Sequence, residues 1–316
     1  MQNVLVTGGA GFIGSNIVSN LINDSRVAKV RVLDNLSTGF IHNIEEFFNN
    51  PKFEFIKGDI RDYQTCLDVA KDITLITHQA ALGSVPRSIK DPLTTNEVNI
   101  SGTLNIFNAA VQNNVKRVVF AASSSTYGDS QGLPKVENII GKPLSPYAVT
   151  KYVNELYADV FSRTYDFEYI GLRYFNVYGP KQDPNGAYAA VIPLFFKAAL
   201  DGNGPTINGD GTNSRDFTFV DNAVEANILA LFSENREAIN QVYNVACGER
   251  TNLNELWSNI KLITNSKAEA THGPNRSGDI PHSLASIDKA QSLLKYSGKV
   301  KLKEGLERAF EFYNLC

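Results

Sequence analysis

The chain has 316 residues, of which 43% are apolar and 20% are charged, and its formal net charge is −3. A chain of this size can bury a full core in one large or two smaller domains. Its basic residues do not cluster in the sequence, so we do not expect it to bind nucleic acid or a membrane surface. Its three cysteines lie far apart, and no apolar run reaches the roughly 18 residues that span a bilayer. We therefore expect a soluble, cytoplasmic protein without a signal peptide, metal site or disulfide.

The first half of the chain alternates short β-branched runs with helical periodicity. Six runs predict strands, at residues 3–7, 30–34, 53–57, 73–78, 116–122 and 168–173. The clearest helices are predicted at 12–22, 94–113 and 146–165. Ser145 precedes the last of these as a predicted N-cap, and Pro146 occupies its first turn. This alternation predicts an α/β fold in which a doubly wound parallel sheet is covered by helices on both faces.

The pattern changes after about residue 173, where loops rich in Pro, Gly, Asn and Asp separate shorter elements. Helices are predicted at 191–200, 221–233, 252–264 and 288–295. We interpret residues 1–173 as a Rossmann domain. Residues 174–316 are predicted to form mainly a smaller C-terminal α/β lobe that binds the substrate, with some segments returning to the first domain.

A glycine-rich loop, "TGGAGFIG" (7–14), joins the first predicted strand to the first helix. Its glycines can be grouped as Gly8, Gly11 and Gly14 or as Gly9, Gly11 and Gly14. Glycines there allow a backbone to approach a pyrophosphate, and the helix N-terminus offers it free N–H groups. Asp34 ends the second strand, where a carboxylate can bind both ribose hydroxyls and would repel the extra phosphate of NADP. The loop and Asp34 therefore predict NAD as the cofactor.

The segment "SPYAVTKY" (145–152) places Tyr147 and Lys151 on one face of a helix, because residues four apart lie above each other. A free phenol titrates near 10, too high for a base at neutral pH, and nearby cations favour the phenolate. Lys151 and an oxidised nicotinamide could supply two such charges. This pair predicts proton transfer to and from an alcohol.

Two further strand ends carry polar side chains. "AASSSTYGD" (121–129) supplies a serine hydroxyl that can hold the substrate oxygen. "HQAAL" (78–82) contains His78, which we interpret as a packed strand-end residue and not as a base, since no Ser or Cys nucleophile motif accompanies it.

With these motifs in place, the sequence resembles the extended short-chain dehydrogenase/reductase family, and within it the nucleotide-sugar 4-epimerases. The motifs that carry the resemblance include "LDNLSTG", "GDIRD", "SSSTYG", "LRYFNVYGP" and "GDGTNSRDFTFVDN". The resemblance implies that Tyr147 is the catalytic base and acid, and that Lys151 binds the nicotinamide ribose. A serine among Ser123, Ser124 and Ser125 contacts the sugar 4-oxygen, and the spacing to the following Tyr-Gly leaves the choice open. The cofactor contacts implied are Gly8, Gly11, Phe12, Ile13, Gly14, Asp34, Asn35, Ser37, Thr38, Gly39, Asp59, Ile60, Gln79, Ala80, Ala81, Asn99, Tyr147, Lys151 and Phe175.

The same resemblance distinguishes epimerases from dehydratases. The similar dehydratases carry an Asp-Glu pair directly after the serine or threonine of the fifth strand, whereas this chain reads Ser123, Ser124, Ser125 and Thr126. We therefore expect reversible oxidation at C4 through a 4-keto sugar. Because NAD is regenerated in every turnover, we expect the enzyme to retain it.

The substrate implied is a UDP-N-acetylhexosamine. Galactose-type members often carry a bulky tyrosine where this chain has Ser283, and a small residue there leaves room for an N-acetyl group. Arg215 and Arg276 suit the diphosphate. The full set of implied substrate contacts is Gly83, Ser84, Ser125, Asn176, Gln182, Ala190, Val191, Asn208, Arg215, Arg276, Asp279 and Ser283.

The sequence leaves three alternatives to this function open, and the resemblance implies one protein partner. The substrate could be UDP-glucose and UDP-galactose, or a UDP-N-acetylhexosaminuronic acid, and a non-catalytic NAD-sensing protein on the same fold is the alternative from another class. The resemblance also implies a homodimer through long helices near 94–113 and 147–164, which have apolar faces.

Overall fold

A computed structural model of the chain describes residues 1–186, 188–274 and 280–315. The strands are β1 (Gln2–Thr7), β2 (Val27–Asp34), β3 (Phe53–Lys57), β4 (Leu75–His78), β5 (Arg117–Ser123), β6 (Glu168–Tyr174), β7 (Val177–Tyr178), β8 (Thr206–Asn208), β9 (Ser214–Arg215), β10 (Thr218–Phe219), β11 (Gln241–Val245), β12 (Thr251–Asn252) and β13 (Thr271–Gly273). The α-helices are α1 (Phe12–Asn23), α2 (Tyr63–Val69), α3 (Val85–Lys90), α4 (Pro92–Asn96), α5 (Gly102–Gln112), α6 (Pro146–Thr164), α7 (Val191–Leu200), α8 (Val220–Leu231), α9 (Leu253–Thr264), α10 (Asp288–Leu294) and α11 (Leu302–Tyr313).

The central element is a seven-stranded parallel sheet with the order β11-β6-β5-β4-β1-β2-β3. β1 is near the middle, and Val4 lies opposite Val30 of β2 on one side and Leu75 of β4 on the other. The chain builds the sheet outward from β1 to β3, then returns and builds it in the other direction from β4. This reversal opens a crevice at the carboxyl ends of β1 and β4, where ligands bind in folds of this type. The predicted doubly wound parallel sheet is confirmed.

Helices cover both faces of this sheet, which explains why its central strands are apolar without alternation. On one face, α1 and α8 pack against each other, and on the other face α5 packs against α2 and α6. Val4, Leu5 and Val6 of β1 are completely buried, because both faces of that strand lie in a core. Ser145 accepts a hydrogen bond from the backbone N–H of Ala148, 3.1 Å away, which confirms it as the N-cap of α6.

Several elements were not predicted. The seventh strand, β11, comes from the second half of the chain and pairs in parallel with β6. α2, α3 and α11 were also missed. The helix predicted at 94–113 is interrupted at Glu97–Ser101 by a π-helical turn. α2 and α3 have only 7 and 6 residues, too few for a helical period to stand out from a sequence.

The rest of the second half adds three two-stranded sheets, β7 with β10, β8 with β13 and β9 with β12. α7, α9 and α11 pack together beside them. Among the helices that the structure describes, none combines the length and apolar character needed to cross a membrane.

Candidate active site

Two cavities lie beside each other at the carboxyl ends of the central strands. The first has a volume of about 540 Å³ and follows the ends of β1, β2, β4 and β5. The second, of about 480 Å³, lies between β5 and the C-terminal lobe. Ser124 and Asn176 line both, so the two cavities meet beside the predicted serine and Tyr147.

The glycine-rich loop forms the floor of the first cavity, and its backbone is too tightly packed for side chains. Gly8 has a φ of +69°, and a Cβ there would lie 2.6 Å from the backbone nitrogen of Ala80. A Cβ on Gly14 would lie 2.1 Å from the carbonyl oxygen of Gly8. Gly11 directly precedes α1 and provides no side-chain cap, so the first N–H groups of that helix can serve a ligand. Gly8, Gly11 and Gly14 line the cavity and Gly9 packs against Val32, which favours the first grouping of the glycines.

Asp34 stands at the end of β2, beside this loop. Its two carboxylate oxygens accept hydrogen bonds from the backbone N–H groups of Ala10 and Leu36, at 2.9 and 2.8 Å. Burial raises the pKa of Asp34, and these two bonds oppose the shift. Each carboxylate oxygen has a second lone pair, so the bonded carboxylate can still accept from ribose hydroxyls.

A second carboxylate faces the cavity from the end of β3. Asp59 accepts a hydrogen bond of 2.9 Å from the side chain of Asn35 and pairs with Arg61 at 2.7 Å. The bond from Arg61 holds the pKa of Asp59 well below its usual range, so this carboxylate stays charged. Together with the glycine cradle and Asp34, this donor and acceptor set fits a dinucleotide.

Most of the predicted cofactor contacts line the first cavity. They are Gly8, Gly11, Phe12, Ile13, Gly14, Asp34, Asn35, Ser37, Thr38, Asp59, Ile60, Gln79, Ala80, Ala81, Tyr147 and Lys151. Three others do not line it. Gly39 packs against the backbone of Ala10, and Phe175 lies in the wall of the second cavity. The buried side chain of Asn99 bonds to the backbone of Leu82 at 2.8 and 3.1 Å, so it holds this cavity-lining residue in place.

The Tyr147 and Lys151 side chains lie together in the wall of the first cavity. The ammonium of Lys151 lies 5.9 Å from the centroid of the Tyr147 ring and donates a hydrogen bond of 2.7 Å to the carbonyl oxygen of Ala121. Burial lowers the pKa of Lys151 to about 8, and the charge of Glu155 one turn further along α6 opposes the shift. Glu155 is itself held by a buried ion pair with Arg173, at 2.7 Å.

The electrostatics of Tyr147 differ from the sequence-based expectation. Burial raises the pKa of its phenol, and a hydrogen bond with the side chain of Ser123 lowers it by less. The neighbouring Lys151 ammonium does not offset the effect of burial on the Tyr147 pKa. The effect of burial is larger than that of the bond with Ser123. A lowered pKa of the Tyr147 phenol would therefore require the positive charge of a bound, oxidised nicotinamide.

The structure distinguishes the three serines. Ser123 is buried, contacts the Tyr147 side chain and accepts a hydrogen bond of 2.8 Å from the Ser125 hydroxyl. Ser124 lies in both cavity walls and Ser125 in the second one. Ser123 is therefore the serine next to the phenol, and Ser125 contacts it from the side of the second cavity.

Predicted substrate contacts divide between the two cavities. Gly83, Asn176 and Gln182 line the first, and Ser125, Asn176, Arg215 and Ser283 line the second. Four others are in neither wall, namely Ser84, Ala190, Val191 and Asn208. Ser84 instead caps α3, where it accepts from the N–H of Arg87, and Asn208 is exposed at the end of β8. Arg276 and Asp279 lie outside the described residues.

Two further polar residues of the site were not among the predicted contacts. Tyr174 donates a hydrogen bond of 3.0 Å to Gln79 and accepts one of 2.7 Å from Asn227, which ties β6 and α8 to the cavity wall. Lys135 is buried in the wall of the second cavity. The side-chain partners of Tyr174 lie 50 or more residues away in the sequence, so its place in the site becomes recognisable only when the chain is folded.

His78 lies behind the first cavity and has no free ring nitrogen. Nδ1 is 2.6 Å from the hydroxyl of Thr7, and Nε2 is 3.0 Å from that of Thr103. Burial lowers the pKa of His78 to about 3, so the ring is neutral at physiological pH. His78 is packed at its strand end, as the sequence predicted. No group of three or more possible metal ligands occurs in the described parts of the chain.

Comparison with protein families adds a match over most of the chain. Residues 4–246 match the NAD dependent epimerase/dehydratase family. These residues include the glycine loop, the three serines, Tyr147 and Lys151.

Individual relatives are similar over nearly the whole chain. The UDP-N-acetylglucosamine 4-epimerase from Methanobrevibacter ruminantium, solved with UDP-N-acetylmuramic acid, is 40% identical, with a TM-score of 0.93 over 99% of this chain and 98% of that one. A putative UDP-glucose 4-epimerase from Methanocaldococcus jannaschii is 40% identical over 307 residues, 96% of each chain. The UDP-glucuronic acid 4-epimerase from Bacillus cereus, solved with UDP-glucuronic acid and NAD, is 31% identical, with a TM-score of 0.90 over 99% of both chains.

Proposed function

Because the chain belongs to the NAD dependent epimerase/dehydratase family and is an NAD-dependent nucleotide-sugar 4-epimerase, we propose that it interconverts UDP-N-acetylglucosamine and UDP-N-acetylgalactosamine. The observation that carries this choice of sugar is Ser283, which lines the second cavity with Ser125 and Arg215. A side chain this small leaves space for an N-acetyl group, which a tyrosine would fill. The M. ruminantium neighbour is named for the same N-acetylated sugar, which supports the choice.

The reaction requires a proton to leave and return to one sugar oxygen. NAD held by the glycine loop and Asp34 in the first cavity would supply the acceptor and donor of the hydride at C4. The Tyr147 phenol takes the proton of the 4-hydroxyl and gives it back to the same oxygen after the 4-keto sugar has turned. Ser123, beside the phenol, holds that oxygen in place. Lys151 donates one hydrogen bond to Ala121 and has further N–H donors for the nicotinamide ribose.

The nucleotide must stay bound while the sugar turns. We assign the diphosphate to Arg215 and Arg276, because a planar guanidinium matches phosphate oxygens. Asn176 and Asp279 are the proposed partners of the diphosphate and the uridine ribose. Asn176 is exposed and lines both cavities, and its side chain is held by a hydrogen bond of 3.0 Å to the carbonyl oxygen of Asp216.

We expect the purified protein, without added NAD, to convert UDP-N-acetylgalactosamine into UDP-N-acetylglucosamine. Ser283→Tyr is expected to lower kcat/KM for this substrate by about 10- to 100-fold and to affect UDP-galactose much less, because the added ring occupies the space of the N-acetyl group. Product formation followed by chromatography measures both ratios.

Ser283→Ala is the matched control, since it keeps the position small and should preserve the preference. If the wild-type protein turns over only UDP-galactose and UDP-glucose, the sugar assignment is wrong and the UDP-glucose alternative takes its place, in line with the name of the M. jannaschii relative. Turnover of uronic acids alone would favour the third alternative, in line with the B. cereus neighbour. A non-catalytic NAD sensor is no longer an alternative for a member of this enzyme family.

The proposed partner is a second copy of the chain. α6 exposes Val149, Leu156 and Val160 along one face, with 46%, 49% and 47% of each residue accessible, and Leu93 of the adjoining α4 is 77% exposed. α4 and α6 pack against each other, so these exposed apolar side chains lie on neighbouring helices. Two such surfaces can pair around a twofold axis.

We expect Leu156→Glu combined with Val160→Glu to convert a dimer into a monomer at micromolar concentration, because a charge in this apolar surface would lose its hydration. Sedimentation velocity measures the change. Leu262→Glu, at a residue that is 75% exposed on α9, is the matched control and should leave the dimer intact. A wild-type protein that sediments as a monomer would contradict the proposal.

A further inference from the structure

A short loop after β7, residues 179–182, reaches from the C-terminal lobe to the first cavity, and we call it the strap. Gly179 begins the strap with a φ of +146°. Its carbonyl oxygen accepts hydrogen bonds of 3.3 Å from the N–H of Gln182 and from the hydroxyl of Tyr313 on α11. Gln182, the last residue of the strap, lines the first cavity. The strap is therefore fixed to α11 at one end and forms part of the cofactor cavity at the other.

Lys181 of the strap contacts the segment that follows β2. Its Nζ donates a hydrogen bond of 2.8 Å to the carbonyl oxygen of Asn43 and lies 3.4 Å from the carboxylate of Glu46. The same ammonium is 5.8 Å from the centroid of the Phe47 ring. The Lys181 side chain is only 20% exposed, so these contacts are partly shielded from water. Lys181 thus links two segments that are 138 residues apart in the sequence.

The backbone of the strap is held in place on both sides of this contact. Lys181 has a φ of +70°, which is uncommon for a residue with a Cβ and persists where the surrounding structure fixes it. The carbonyl oxygen of Pro180 accepts a bond of 3.2 Å from the side chain of Asn16, which also donates to the carbonyl oxygen of Phe12 at the start of α1. The strap therefore lies against the end of α1 whose free N–H groups suit a pyrophosphate.

Asn43 continues the link from Lys181 to the glycine loop. Its buried side chain donates a hydrogen bond of 2.9 Å to the carbonyl oxygen of Ala10, and the N–H of Ala10 donates to Asp34 at 2.9 Å. The segment between Asp34 and Asn43 contributes three residues to the wall of the first cavity, Asn35, Ser37 and Thr38. Lys181 therefore joins the strap to the glycine loop and to the segment that carries these three residues.

We propose that Lys181 is a latch that keeps NAD in the first cavity, because its bonds to Asn43 and Glu46 hold the strap against the segment that follows Asp34. A dinucleotide in this cavity is bounded by both linked segments, so we expect the link to open before the cofactor leaves. Lys181 itself is in neither cavity wall and acts through its neighbours, which makes it a positioning residue. The inference goes beyond the proposed function, since it concerns the cofactor and holds for any choice of sugar.

The test measures how fast bound NAD exchanges in the purified holoenzyme. The protein is mixed with excess deuterium-labelled NAD, and mass spectrometry of the protein-bound NAD gives the exchange rate. We expect Lys181→Met to raise this rate by about 10- to 100-fold, the effect of losing a charge-assisted hydrogen bond. Lys181→Arg keeps the charge and should stay within about threefold of the wild type. With saturating NAD, kcat for UDP-N-acetylgalactosamine should change by less than about twofold, because the residues at the reacting carbon are unaltered.

Lys52→Met is the matched control. The Nζ of Lys52 donates to the carbonyl oxygens of Ile22 and Asp24, both at 3.2 Å, near the end of α1 that is far from the glycine loop. The change removes the same type of contact at a residue outside both cavities, so the exchange rate should equal that of the wild type. Equal acceleration in Lys52→Met and Lys181→Met would indicate general loosening of the fold and would overturn the latch. An unaltered exchange rate in Lys181→Met would overturn it as well.

A second variant keeps the test decisive if Lys181→Met does not fold. Asn16→Ala removes the bond between α1 and Pro180, so it should raise the exchange rate by about 3- to 10-fold, and an unchanged rate would contradict the latch. A wild-type holoenzyme that exchanges its NAD within seconds would also contradict it. Neither result affects the sugar assignment, because turnover of UDP-sugars with added NAD tests that assignment separately.

Discussion

Replacing Tyr147 by phenylalanine is expected to lower kcat by roughly 100- to 10,000-fold, the usual contribution of general acid–base catalysis. The variant removes one oxygen and keeps the ring, so the contact with the Lys151 ammonium at 5.9 Å from the ring centroid is preserved. The phenol that hydrogen-bonds to Ser123 is that of Tyr147. Turnover of UDP-N-acetylgalactosamine, measured at saturating substrate, provides the test, and the NAD released on denaturation shows whether the cofactor is retained.

Tyr152→Phe is the matched control for this change. It removes the same oxygen from the same helix at a position outside both cavities, so its turnover should stay within about twofold of the wild type. If Tyr147→Phe kept more than a tenth of the wild-type turnover while Tyr152→Phe behaved normally, another group would have to carry the proton. In that case the role proposed for Tyr147 would be incorrect.

Gly14→Ala is expected to abolish stable NAD binding and to lower the free energy of unfolding by about 1 to 3 kcal/mol or more, as overpacking of a tight site does. The new Cβ would lie 2.1 Å from the carbonyl oxygen of Gly8. That carbonyl cannot move freely, because it accepts from the N–H of Gly11 at 3.1 Å while the N–H of Gly8 bonds to Leu33 at 2.8 Å. The loop must therefore deform, and its N–H groups no longer point together toward a pyrophosphate.

Gly132→Ala makes the same chemical change where a Cβ would have no neighbour within 4 Å. It should retain NAD and unfold at the wild-type temperature. Bound NAD per chain, together with thermal unfolding followed by circular dichroism, separates the two variants. An unaltered NAD content in Gly14→Ala would show that the glycine loop is not the pyrophosphate site.

The local parts of the site were predictable because they depend on residues close together in the sequence. β1, the glycine loop and α1 follow one another, and Ser145 caps the helix that carries Tyr147 and Lys151. One helical turn brings Tyr147 and Lys151 to the same face whatever the rest of the chain does. Some contacts assigned by family resemblance do not line a cavity. The Asn99 side chain bonds to the backbone of Leu82, and the Ser84 side chain caps α3.

Other features depended on distant parts of the chain. The sequence left Ser123, Ser124 and Ser125 equivalent, and the choice of Ser123 required the position of α6 relative to the end of β5. β11 joins the central sheet because β6 leaves an edge that it can pair with, and its own five residues, QVYNV, do not specify that partner. Lys135 reaches the wall of the second cavity through tertiary contacts, among them the bond from the side chain of Asn244 to its carbonyl oxygen.

The sequence by itself determined the class of fold, the cofactor and the pair of residues that handle the proton, because hydrophobic periodicity, a strand–loop–helix motif and one helical turn are all short-range properties. Only the tertiary structure decided which serine meets the phenol and which predicted contacts reach the cavities. Those answers depend on burial and on distances between segments 20 to more than 100 residues apart, which no local pattern records.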